Sequence, residues 1–383
     1  MQKKLLLVGG SHADIPIIQA AKKLGLWVIT TGNNPKDLGH VYGDEYYSED
    51  YSKPHNIYLL AKKLQVDAIC ASSNDFSAIA CAYAAQKLHL GGHDTLDTAL
   101  TIHHKDRFRA FALTEGLCVP QTVTYNQESR DNYNYPLIVK PIDLSGGKGI
   151  QKVMNKKELD KAIVHAKALS KSDNVVIEEF IEGSNHGYST FIKEKKVVFA
   201  FMDDEHYFHN PYLVGGASTS LHYTQAIANE LNHDLEKMAS RLNLVDGLLH
   251  VQFILKGNRP YIIEICRRTP GDLYVKLVEY ATGFDMPKAI IYSVLSKKIE
   301  DYSIKKLSYI TRHCVMSPEE KIVNRVEYGS FEAKIFDKMV FYAKGDKISN
   351  PLTYKAEIDF IRYENKEDMQ KSINKIVEDI IIV

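Results

Sequence analysis

Several large classes of protein are excluded by what this sequence lacks. It has only five cysteines, Cys70, Cys81, Cys118, Cys266 and Cys314. They are odd in number and scattered, no pair has metal-site spacing, and no disulfide framework is expected. No apolar run approaches the roughly 20 residues that a bilayer-spanning helix needs. An excess of charge of either sign is also missing, since 48 Lys and Arg balance 48 Asp and Glu. Without a basic patch or tail, neither nucleic acid nor a membrane surface is an expected partner. There is no internal repeat and no low-complexity tract. The N-terminus runs straight into a strand with no signal-peptide pattern, so a soluble cytoplasmic enzyme is expected. A length of 383 residues suggests two or three domains.

What is present is concentrated in two segments. The first is His250-Val-Gln-Phe-Ile-Leu255 followed, after Lys256-Gly-Asn-Arg-Pro260, by Tyr261-Ile-Ile-Glu-Ile-Cys-Arg-Arg268. Strand side chains alternate faces. Val251, Phe253 and Leu255 therefore share one face, and His250 and Gln252 the other. Ile263 and Ile265 likewise oppose Glu264, Cys266 and Arg268. The intervening residues have hairpin length and turn composition. A turn centred on Asn258 sets Gln252 opposite Glu264 and His250 opposite Cys266, close enough to share a ligand. Oxygen ligands beside substrate phosphates are what Mg²⁺ takes. Taken alone, the hairpin reads as a solvated face with a surface Glu–Arg pair.

The second segment, Tyr135 to Gly149, reverses those odds. Leu137-Ile-Val139 reads as a short buried strand ending at Lys140-Pro141, and Ser145-Gly-Gly-Lys-Gly149 follows. Glycines let backbone amides approach phosphate oxygens, and lysines add charge. The spacing is not that of a Walker A loop. A third segment, Asn174 to Ser184, is an apolar strand running into acids and a glycine.

The ordered set is Lys105-Asp-Arg-Phe-Arg109, Lys140 with its glycine loop, Glu178-Glu-Phe-Ile-Glu-Gly183, Gln252, and Glu264-Ile-Cys-Arg-Arg268. It resembles the ATP-grasp superfamily, which includes biotin carboxylase, D-alanine–D-alanine ligase and carbamoyl phosphate synthetase. The resemblance covers roughly residues 1–295 and implies ATP and Mg²⁺ as cofactors. It implies that Lys105 and Lys140 contact phosphates and that Ser145, Gly146, Gly147 and Lys148 close over them. Glu178, Glu179, Phe180 and Ile181 would form the linker that holds adenine, with Asn185 and His186 near the ribose. Gln252 and Glu264 would be the metal ligands. Arg268, with Lys140, would stabilise the transferring phosphoryl group. Glutamine stands where most members carry Glu, and Cys266 where most carry Asn. A thiol is a poor Mg²⁺ ligand, which puts a second metal ion in doubt.

The fold class expected is mixed α/β and α+β. Residues 1–103 would be an N-terminal parallel-sheet domain preceding the ATP-grasp domain, 104–296 a two-lobed ATP-grasp domain with its linker strand near 175–182, and 297–383 a small C-terminal α+β lobe. In the first domain, strands at Lys4–Val8, Trp27–Thr31 and Asp67–Ala71 alternate with helices around Ile15–Leu24 and Tyr58–Leu64. Gly9-Gly10 fails as a dinucleotide fingerprint: the third glycine and the ribose acid are absent. Ligands gather beyond the carboxyl ends of parallel strands, which nominates Ser11, Asn74 and Asp75 for a substrate pocket. Helix capping uses the same residue types at those places.

Residues 203–220 mix acids, histidines and aromatics before Gly215-Gly216. The spacing fits no defined metal pattern, so this segment is expected to be a lid loop over substrate. Tyr207, His209 and Tyr212 would recognise substrate, and Gly216, Ala217 and Ser218 would wrap its carboxylate. The activity implied is an ADP-forming carboxylate–amine ligase that works through an acyl phosphate on small molecules such as an amino acid. A bicarbonate-dependent carboxylase and a nucleotide-binding module without catalysis are the alternatives. The sequence does not set the oligomeric state, although dimers are common among relatives.

Overall fold

The computed structural model describes residues 2–125, 133–144, 146–300, 302–329, 334–351 and 353–383. Leu5, Leu6, Leu7 and Val8 are fully buried, as a strand covered on both faces must be. This strand, β1 (Lys4–Val8), joins β2 (Trp27–Gly32), β3 (Glu45–Ser48) and β4 (Ala68–Ala71) in a parallel sheet ordered β3-β2-β1-β4. Helices α1 (Ile15–Lys23), α2 (Pro54–Leu64) and α3 (Asp75–Leu88) cover it. Strand β3 was not foreseen: Glu45-Tyr-Tyr-Ser carries no apolar alternation and is only partly buried.

Helices α4 (Leu96–His103) and α5 (Lys105–Thr114) lead into a small lobe. There β5 (Leu137–Pro141) lies between β6 (Gln151–Val153) and β7 (Val175–Glu179), backed by α6 (Lys156–Leu169). Leu137, Val139, Val153, Leu159, Ala162 and Ile177 give this lobe a core of its own.

The principal sheet is antiparallel. Among the described residues it has eight strands: β8 (Ser184–Lys193), β9 (Lys196–His206), β10 (Gly216–Thr219), β11 (Gly247–Lys256), β12 (Arg259–Cys266), β13 (Tyr309–Val315), β15 (Lys334–Val340) and β16 (Glu357–Tyr363). Their order is β12-β11-β8-β9-β10-β13-β16-β15. A separate pair joins β14 (Val326–Tyr328) to β17 (Ile380–Ile382). Helix α7 (Gln225–Arg241) packs Leu231, Leu235 and Met238 against Val251, Phe253 and Ile262 of the sheet.

Strands β13, β15 and β16 continue the sheet past residue 297, where Ile310, Cys314, Ile358 and Phe360 share a core with Phe199 and Phe201, while Val323, Val326, Ile348, Met369 and Ile380 belong to a separate C-terminal core. One expectation changes here. Residues Asp203–His206 are the end of β9, not a loop. Alternating Asp203 and Glu205 with Asp204 and His206 is a strand pattern in which both faces are polar, so the period carried no hydrophobic signal.

Candidate active site

The hairpin β11–β12 pairs His250 with Cys266, Val251 with Ile265, and Gln252 with Glu264. The register at these residues is the one expected, but the turn is not. Lys256 pairs with Arg259 across a two-residue turn at Gly257-Asn258, and the register shifts by one residue between Gln252 and Phe253. The extra residue is taken up at Ile263. Ile262 joins the core in its place, and Ile263 lines a cavity beside Glu264. Such bulges re-aim side chains near functional sites.

That cavity, of about 590 Å³, lies between the small lobe and the principal sheet. Its size is typical of a small-molecule site. Lys105, Lys140, Gly146, Gly147, Glu178, Glu179, Phe180, Ile181 and Asn185 line it. So do Tyr207, Tyr212, Ala217, Gln252, Glu264 and Arg268. Asp75 stands behind this wall: its Oδ1 accepts from Arg268 Nε at 2.9 Å and faces His103 Nδ1 at 3.0 Å.

The remaining nominations fall elsewhere. Ser145 lies outside the described residues. Lys148 is exposed in the turn and does not line the cavity. His186 is fully buried on the opposite face of β8, with Nδ1 2.9 Å from Asp204 Oδ1 and Nε2 2.6 Å from Ser184 Oγ. Both ring nitrogens are engaged, so Asn185 is the one of the pair that faces the cavity. His222 joins the same cluster through Asp204 Oδ2 at 3.0 Å. Ser11 Oγ bonds Asp14 at 2.9 Å, and Asn74 caps α3 through Phe76 N at 2.9 Å. Helix capping and its neighbourhood therefore account for both. Neither His209 nor Gly216 lines the cavity, and Ser218 is buried beside His206 at 2.9 Å.

Glu178 is gripped from within the protein. It is fully buried on β7, and its Oε2 accepts from Lys140 Nζ at 2.8 Å while Oε1 accepts from Arg109 Nε at 2.7 Å. Arg109 also donates to the carbonyls of Ile262 at 2.9 Å and Ile263 at 3.1 Å. Burial alone would raise the Glu178 pKa, but Lys140 and Arg109 outweigh it and hold the carboxyl down to about 2. Both carboxylate oxygens are engaged, so Glu178 positions Lys140 and ties β7 to α5, while Arg109 ties α5 to the hairpin. Arg109 was missed. Its signal was the i, i+4 spacing from Lys105, which puts both cations on one face of α5.

Lys105 Nζ lies 2.7 Å from the Leu144 carbonyl and 3.3 Å from Glu264 Oε1. The start of the glycine loop, the lysine and the hairpin carboxylate are thus joined at one point. Gln252 Nε2 donates to Glu205 Oε1 at 2.6 Å, which leaves its amide oxygen outside that bond. The donor set fits a hard divalent cation, with Glu264 and the Gln252 amide oxygen as candidate ligands. Burial pushes the Cys266 thiol up to about 11, so it stays protonated at neutral pH and adds no ligand.

Residues 106–271 match a protein family described as the ATP-grasp domain. The chain therefore carries an ATP-grasp domain, a family that in general works with ATP and Mg²⁺. It is 23% identical over 337 residues to the C-terminal section of the carbamoyl phosphate synthase large chain of Methanocaldococcus jannaschii. That match takes in 80% of this chain and 54% of the relative, so the chain spans about half the relative's length. The L-amino acid ligase of Bacillus licheniformis has a similar fold, with a TM-score of 0.82 at 18% identity, covering 100% of this chain and 98% of that one. A biotin carboxylase domain of the Hydrogenobacter thermophilus 2-oxoglutarate carboxylase, solved as a dimer with MgADP, ADP and bicarbonate, gives a TM-score of 0.78 at 19% identity, covering 100% and 91%.

Proposed function

We propose that this protein is an ADP-forming, ATP-dependent ligase that joins a small-molecule carboxylate to an amine. The observation that carries this is the convergence of Lys105, Lys140, Glu264, Gln252 and Arg268 on one cavity wall system, beneath a glycine loop. Phosphoryl transfer depends chiefly on positioning and charge compensation. Lys140, held by Glu178, and Lys105, held on the loop carbonyl of Leu144, supply fixed positive charge. Arg268 is held by Asp75. A divalent cation on Glu264 and Gln252 would add charge neutralisation at the phosphates. The substrate carboxylate oxygen bonds to the terminal phosphorus and ADP leaves. The amine then bonds to the carboxyl carbon, phosphate leaves, and the amine proton passes to solvent or a base.

The test is ADP and phosphate release from MgATP across a panel of carboxylates, amines and bicarbonate. ADP that appears only when carboxylate and amine are both present supports the ligase. ADP with bicarbonate alone makes the protein a carboxylase, and AMP ends the acyl-phosphate mechanism. ATP binding without turnover on any mixture favours a non-catalytic module. Glu264→Ala removes a partly exposed side chain, so the fold should survive while Mg²⁺-dependent turnover is lost by about 100-fold or more. Unchanged turnover in that variant would move the metal site elsewhere.

A further inference from the structure

The cavity has a second polar centre away from the phosphate-side lysines. On the principal sheet Gln252 pairs with Gly187, and Gly187 with Asp203. Gly187 leaves no room for a side chain: a Cβ there would stand 2.4 Å from Asp203 Oδ1. Asp203 can therefore lie over the neighbouring strand. One step along, Glu205 pairs with Ala217, and Ala217 with Arg312. Adjacent strands are about 4.8 Å apart. Two acids and a guanidinium thus share one concave wall, separated by small residues.

Their partners decide what is left over. Glu205 accepts from Gln252 on Oε1 and, at 2.7 Å, from Tyr207 on Oε2. Asp203 Oδ1 accepts from the Tyr274 hydroxyl. Among the described residues Asp203 Oδ2 has no hydrogen-bond partner, although Asp203 is fully buried. Arg312 is 2% exposed and gives Nη1 to the Asp272 carbonyl at 3.0 Å, yet its Nε also has no hydrogen-bond partner among the described residues. The Asp272 carboxylate bonds Lys355 at 2.6 Å, lies 3.6 Å from His12 and pairs with Arg312 through Nη1 at 3.7 Å, which leaves Nε outside that pair. Buried polar atoms are rarely left unsatisfied without a ligand or water to complete them. Here the residues that carry this orphan acceptor and this orphan donor both line the cavity. A metal ion would satisfy only the first, and the guanidinium opposes it. A phosphate would satisfy only the second.

We propose that this wall binds an α-amino acid as its zwitterion, with the ammonium on Asp203 Oδ2 beside Glu205 and the carboxylate on the Nε side of Arg312. This rests on the ligase reading only in naming the amino acid as one of the two substrates; the binding itself is separable.

The experiment is calorimetric titration of each of the twenty standard L-amino acids into the full-length protein saturated with Mg²⁺ and a non-hydrolysable ATP analogue. At least one should bind. Its amide and its N-acetyl derivative should each bind more weakly by on the order of 30-fold, since each loses one charge-assisted contact. Asp203→Asn and Arg312→Lys should each weaken the amino acid by on the order of 10-fold and leave the analogue's affinity within about twofold. Silence with all twenty overturns the proposal. So does equal binding of the capped derivatives, a comparison that needs no variant. Equal loss of amino acid and analogue in the variants would assign these groups to the nucleotide site instead. Zwitterion-selective binding with no ADP release under any mixture would sink the ligase and leave the subsite. ADP release with amines that lack a carboxylate, at undiminished efficiency, would do the reverse.

Discussion

At the residue scale, Glu178 carries the most consequence. A buried carboxylate between Lys140 and Arg109 is isolated from solvent, and removing it strands two buried cations. Breaking a buried pair this way costs about 3–5 kcal/mol. Glu178→Gln should therefore lower the urea midpoint sharply and weaken ATP-analogue binding as Lys140 loses its anchor. A residue that merely touched adenine would cost binding and leave the urea midpoint nearly unchanged. The motif order made this glutamate visible, but not its part. Sequence places Glu178 and Glu179 side by side and cannot say which turns inward. Both glutamates border the cavity, but the β7 register puts Glu178 across from Ile138 and buries it fully, while Glu179 pairs with Leu137, stays partly exposed and accepts from Gln121 N at 2.9 Å.

At the element scale, the glycine loop and the hairpin show what was legible. The Gln252–Glu264 pairing was readable because strand period and turn length together constrain the register. It held only because a tighter turn and a bulge at Ile263 offset each other, and the displaced residue was not predictable. Which of Asn185 and His186 faces the cavity was left open because the start of β8 has polar residues on both faces. Arg312 was invisible for another reason: its strand has no motif, and only sheet pairing through Ala217 brings it to the cavity. The loop glycines carry a sharper demand. Gly147 has φ of +73°, and a Cβ there would lie 2.2 Å from the Tyr212 carbonyl oxygen. Gly147→Ala should push the loop off the segment around Tyr212 and raise the ATP-analogue Kd by on the order of 10-fold. Gly146, whose added Cβ meets nothing closer than Leu213 at 3.9 Å, also has a positive φ of +69° but should cost less. Titrating the analogue into both variants measures the difference.

At the scale of the whole molecule, buried charge sets the pH range of stability. Glu178 and Asp204 are each brought down to about 2, although burial pushes both up: Lys140 and Arg109 offset it at Glu178, and hydrogen bonds from His186 and Ser220 at Asp204. Asp75 and Asp272 are also held low against burial, chiefly by Arg268 and by Lys355. Each of these groups binds its proton less tightly folded than unfolded. Its stabilisation is complete above the ordinary carboxylate range and is lost as pH falls from about 4.5 toward 2. For Glu178 alone, ordinarily 4.5, the loss is on the order of 3 kcal/mol. Asp359 runs the other way. Burial, with repulsion from Glu357, pushes it up to about 8. Folding therefore favours its protonated form, and its destabilising effect grows as pH rises through the ordinary carboxylate range until it is complete above 8. Urea midpoints should peak between those limits and fall steeply on the acid side. Glu178→Gln should be less stable near neutrality yet flatten that acid limb, because the group that must take up a proton is gone. An acid limb of unchanged slope in the variant would show that Glu178 is not ionised in the folded protein, and the charge assignment of the whole Lys140–Glu178–Arg109 bridge would have to be reversed.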